Sequence, residues 1–133
     1  MAARTKARKR AVDVLYAADL RGRSRLDQLA EEVSSGQPPV NDYTVHLVEG
    51  VEEHAAEIDR LIDTHATGWS LERLPDVDRA ILRLAVFELL WEDDVPDPVV
   101  IDEAVTLART LSTEDSPGFV NGVLGAVADA KVA

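Results

Sequence analysis

Lys6, Lys9 and Arg10 fall on one side of a helical wheel drawn through residues 5–21, with Tyr16 at their border and Asp13 among them. Ammonium and guanidinium groups neutralise phosphate, and an aromatic ring offers a face for stacking. Together these are the chemistry of single-stranded RNA recognition. A solvated helix face with a tyrosine at the edge of the core shows the same pattern. Arg8 lies over the apolar side instead and is expected to meet the start of another helix. Near the other end of the chain, Ser116-Pro117 reads as a cap followed by proline at the first helical position. Phe119, one turn in, is either core or an exposed ring. Asp115 stands just before that start, where a helix N-terminus attracts anions and hydrogen-bond acceptors. Gly118, Gly122 and Gly125 line one face of the same helix. Each costs roughly 1 kcal/mol against alanine, so something is expected to approach that face closely, whether a neighbouring helix, a partner or a ligand backbone.

Other chemistries find little support. The chain has no cysteine, which removes disulfides, thiol catalysis and thiolate-bound zinc. His54 and His65 share a face but lie about 16 Å apart along a helix, too far for one ion, and His46 points elsewhere. No glycine-rich phosphate loop or nucleophile elbow is present. The many carboxylates sit on solvated faces, with no pair marked as acid and base. A non-enzymatic protein with no metal and no cofactor is therefore expected. Arg79, Arg83 and Glu88 lie among apolar residues and are expected to form interhelical ion pairs. Asp78, at the start of the same segment, is expected to be exposed and free to meet a partner.

Charge is strongly divided. Residues 1–26 hold eight Lys and Arg against two Asp, while the rest hold six basic and 23 acidic residues, for a net charge of −11 over 133 residues. A basic arm on an acidic body binds a polyanion locally while the body repels it elsewhere. No segment has the length of a transmembrane helix or the make-up of a signal peptide, and the cysteine-free composition fits a cytoplasmic, reducing setting.

The elements that carry these residues all read as helices. The first spans 5–21, with Ala11, Leu15 and Ala18 inward and Gly22 as its stop. A short second helix, Leu26 to Val33, ends in the loop Ser34-Ser35-Gly36-Gln37-Pro38-Pro39. Asn41 or Asp42 caps a long third helix to about His65, with Leu47, Val48, Val51, Ala55, Ile58 and Ile62 as its stripe. Residues 69–74 form a short turn. Asp76 then caps a helix from Val77 to about Trp91 whose apolar residues surround the axis, the mark of a central element. A helix after Pro96 and Pro98 runs to Leu111, and the last runs to about Ala130. The class is all-α, with six or seven helices around one core in a single domain.

Three segments carry a resemblance. The opening ARTKARKRAVDVLYAADLRG, the central LPDVDRAILRLAVFELL and the later VPDPVVIDEAVTLARTLSTEDSPGFVNGVLGAV resemble, in order and spacing, the NusB family of bacterial transcription antitermination factors. The resemblance implies two packed helical subdomains and binding to boxA-type RNA of ribosomal RNA operons. It implies a joint action with NusE, a small-subunit ribosomal protein, followed by other Nus factors and RNA polymerase in the elongation complex. By motif position the RNA surface combines Arg4, Lys6, Lys9 and Tyr16 with Asp115 and Phe119. Arg8 also matches a family position, and Thr5 stands where the family has a basic residue. The NusE surface maps onto Val77, Asp78, Ile81 and Leu82. Some relatives self-associate, so a homodimer is a further expectation. A helical interaction module with an incidental basic arm is the alternative. NusB-like domains also occur joined to RNA methyltransferases, but 133 residues leave no room for the cofactor-binding domain of an intact one.

Overall fold

A computed structural model describes residues 2–36 and 38–132, and the main chain alone at Val132. Gln37, in the loop read from the sequence, lies outside the described residues. Seven α-helices follow one another: α1 (Ala3–Arg21), α2 (Arg25–Ser35), α3 (Asp42–Glu53), α4 (Ala55–His65), α5 (Asp76–Trp91), α6 (Asp97–Leu111) and α7 (Ser116–Val132), with a 3-10 turn at Leu71–Arg73. The described residues contain no strand.

Local signals account for most helix ends. Gly22 adopts φ 63° and closes α1, its N–H bonded to the Ala18 and Asp19 carbonyls. Ser24 caps α2 by accepting from the Asp27 N–H, and Asn41 caps α3 by accepting from the Tyr43 N–H. Three expected ends move. Asp76 is the first residue of α5 rather than its cap; extended Pro75 precedes it, and its carboxylate pairs with Arg79. Ser116 is likewise the first helical residue of α7. The Asp115 carbonyl accepts the first helical bond from Phe119 N–H, and the Ser116 hydroxyl is turned inward. The long third helix divides at His54, whose φ −109° and ψ 18° leave helical values. Its imidazole stacks on the Trp91 ring at 3.9 Å, an interaction from 37 residues away that no local pattern announces.

Helices α1, α2 and α3 pack on one another; α5 and α7 pack on each other and each packs against both α4 and α6. The two groups meet mainly on α5, which packs against α1 and α3 as well as α4, α6 and α7. Residues Ala80 to Leu89 of α5 are all buried, as its all-round apolar sequence requires. One continuous core joins Leu15, Leu47, Ile58, Ile81, Leu84 and Leu124.

Buried charges are paired. Arg83 binds Asp59 on α4 and Asp19 on α1, and Arg79 also reaches Asp19. Arg8 does not meet a helix start. It binds Glu88 near the end of α5 at 2.8 Å and Glu103 within α6 at 2.7 Å. Its inward Cβ direction forces this, because a guanidinium under the core must find carboxylates. The glycine stripe of α7 is not a packing seam: Gly118 and Gly122 are exposed, and a Cβ at any of the three would meet nothing within 4 Å. The close packing lies at Gly50, where a Cβ would overlap the Phe87 ring.

Candidate RNA interface

Ala7, Ala11, Val14 and Ala18 seat α1 in the core, and the 3.6-residue period then turns Lys6, Lys9 and Asp13 outward on one stripe. The stripe overlooks a groove of about 800 Å³ between α1, Glu32 of α2 and the Pro38-Pro39 turn. The Thr44 hydroxyl donates to the Ala7 carbonyl at 2.9 Å and pins α3 to α1 at its floor. Arg10 leans across to Glu32 at 2.9 Å and to the Pro38 carbonyl, so its charge is already matched.

The decisive feature is which cations stay unmatched. All fourteen Lys and Arg lie among the described residues, and ten form ion pairs with carboxylates; Lys6, Lys9, Arg73 and Arg109 form none with the described residues. In a chain of net charge −11, two of the four sit one turn apart on the same stripe. Asp13 lies one turn beyond. Burial raises its pKa; Lys9 pulls it back, and Glu32 pushes it up again.

The structure sorts the other expected residues. Tyr16, half-buried, continues the border of the Lys9 side two turns on. Arg4 does not join them. It lies about half a turn around α1, over the Tyr43 ring at 4.3 Å with Asp94 at 3.3 Å. Asp115 is exposed and Phe119 half-buried at the start of α7. A relay ties that start to α1: Asp19 takes Arg79 at 3.0 Å, and next to Arg79, Asp78 accepts from the Ser116 hydroxyl at 2.9 Å. Tyr16 and Phe119 thus belong to ends of the molecule held together through the start of α5. Sequence reasoning missed Trp69, read only as part of a short turn. It is 49% exposed and stands edge-to-face with Phe119 at 6.4 Å. An aromatic residue between two helices, beside Gly68, was the available signal.

The expected partner face on α5 changes most. Asp78 is 4% exposed rather than free, and Ile81 and Leu82 are wholly buried. Five helices surround α5, so residues at successive positions all turn into protein. Val77 alone of the four reaches solvent, half-buried. Asp78 Oδ1 has no hydrogen-bond partner. Among the described residues, no group of three or more His, Asp and Glu stands close enough to hold a metal ion, and no helix is long and apolar enough to cross a membrane.

Known proteins resemble this chain in both sequence and fold. The NusB family model matches residues 5–129. The transcription antitermination protein NusB of Saccharopolyspora erythraea is 62% identical over 130 residues, covering 96% of this chain and 88% of that protein. Among solved structures, T. maritima NusB superposes with a TM-score of 0.86 at 34% identity, over 96% of this chain and 92% of that one. A chain from the crystal structure of antitermination factors NusB and NusE in complex with dsRNA superposes with a TM-score of 0.83 at 35% identity, over 96% of each chain.

Proposed function

The chain belongs to the NusB family, and we propose on that premise that it is a transcription antitermination factor that binds boxA-type RNA of ribosomal RNA operons together with NusE. One observation carries the reading. An acidic protein that matches ten of its fourteen cations internally leaves Lys6 and Lys9 unmatched on one exposed stripe. Unpaired ammonium groups release counterions when they meet phosphate, and this supplies the affinity for a polyanion. Tyr16 and the Phe119–Trp69 pair supply rings against which unpaired bases pack. Asp115, exposed beside Phe119, accepts hydrogen bonds from base amines. Arg4 adds charge from the far side of α1 and contributes less than Lys6 or Lys9. The relatives bear the name of a transcription factor and not of an enzyme.

NusE docks in this reading at the start of α5. Val77 is the residue it reaches, while Asp78, Ile81 and Leu82 shape that surface from beneath. The NusE-bound pair then joins other Nus factors on the elongation complex in the cytoplasm. The test is fluorescence anisotropy with a boxA RNA and a scrambled control, with and without purified NusE. Selective binding that NusE strengthens is the expected result. Equal binding of both RNAs in the presence of NusE contradicts it.

A second reading has one observation of its own. Leu26 and Val33, 44% and 49% exposed, share the outer face of α2 two turns apart. A second copy of the chain would cover that face. Light scattering across a concentration series decides it: a constant monomer mass removes the dimer.

A further inference from the structure

The groove beside α1 is polarised along its length. Along α1 its lining runs from Lys6 through Lys9 to Asp13, one turn at a time, and Pro38 and Pro39 add apolar surface to it. Arg10 and Glu32 neutralise one another at the side, so the lysines and Asp13 set its character. Its volume of about 800 Å³ falls in the usual range of small-molecule sites, about 300–1,000 Å³. A long run of uniform backbone would want cations along the whole groove. Asp13 denies that, because its carboxylate repels phosphate where it stands. A single unstacked nucleotide has the matching polarity: an anionic phosphate, a flat apolar base and, on adenine, cytosine and guanine, an exocyclic amine that donates hydrogen bonds. Uracil has no such amine.

We propose that this groove holds one unstacked nucleotide of the bound RNA, with its phosphate on Lys6 and Lys9, its base against Pro38-Pro39 and its exocyclic amine donating to Asp13. The assignment rests on the RNA-binding reading above and adds to it a base-selecting position. Asp13, which sits in the basic stripe as an apparent misfit, is the selecting group. A donor seated against its carboxylate stabilises the charged form.

The test uses the full chain and a set of single-stranded RNA dodecamers in which cytidine is exchanged for uridine at one position at a time. Anisotropy gives the affinity of the wild-type chain, of Asp13→Asn and of the Lys6→Ala/Lys9→Ala double variant, each checked for helicity by circular dichroism. The wild-type chain is expected to discriminate at one position by about fivefold or more, the worth of one lost hydrogen bond. Asp13→Asn is expected to erase that discrimination while binding the uridine RNA more tightly than the wild type does. A flat profile in both proteins, with the double lysine variant still weakened, overturns the nucleotide site and leaves the RNA reading standing. No RNA binding by the wild-type chain, alone or with NusE, overturns both.

Discussion

Arg8 bears a full charge at 4% exposure and is held by both oxygens of Glu88, with Glu103 beyond. Burial alone would lower its pKa, but the hydrogen bonds and charge of Glu88 raise it. Tyr43 completes the cluster by donating to Glu88 at 2.7 Å. Removing one partner of such a pair strands the other charge, at a cost of about 3–5 kcal/mol. Arg8→Ala is expected to lose that much stability in urea unfolding; a loss below about 1 kcal/mol would mean that water solvates Glu88. Tyr43 gives a pH signature. Burial and then Glu88 push its pKa up, so the folded state keeps a proton that the unfolded chain releases near pH 10. The stabilisation is complete below about pH 10 and is lost as pH rises toward the raised folded value. The melting temperature of the wild-type chain should therefore fall more steeply between about pH 9 and 11 than that of Tyr43→Phe, which has no proton to lose there. Parallel curves for the two proteins would remove Tyr43 from the titration.

At the scale of elements, α5 organises both the core and the candidate surfaces. Phe87 shows how tightly. His46 and His54 flank its ring with centroids 5.7 and 6.1 Å away, Trp91 lies at 6.1 Å, and Gly50 supplies the floor. Gly50→Ala adds a favoured helix residue, worth about 1 kcal/mol, but drives a methyl into a ring with no room to move. Overpacking of this kind costs about 1–3 kcal/mol, so the expected melting temperature falls. An unchanged or raised value would show that the aromatic stack yields. The apolar girdle of α5 made its central place legible from sequence, and the periodicity of α1 identified both the buried and the exposed stripes. Long-range partners stayed hidden. The break at His54 depends on Trp91, and Asp78 is buried by a hydroxyl 38 residues away. Arg4 follows Tyr43 and Asp94 rather than the lysines beside it. Local spacing carries no record of such partners, which is why Asp78 was expected at the surface and lies buried.

For the whole molecule, the proposed function rests on the division of charge. The acidic body satisfies most of its cations internally and repels RNA over most of its surface. In the proposed reading, binding is favoured on the side where Lys6 and Lys9 remain unmatched. The fold sets this arrangement: α1 packs against α2, α3 and α5, and Lys6, Lys9 and Asp13 stay exposed. The most direct measurement is the salt dependence of single-stranded RNA affinity for the wild-type chain and for Lys6→Ala/Lys9→Ala. Each phosphate contact on a single strand contributes about 0.7 to the slope of log K against log salt. The double variant is expected to bind more weakly at low salt, with a slope shallower by about 1.4 and unchanged helicity. An unchanged slope and affinity would contradict the assignment of the RNA surface to α1.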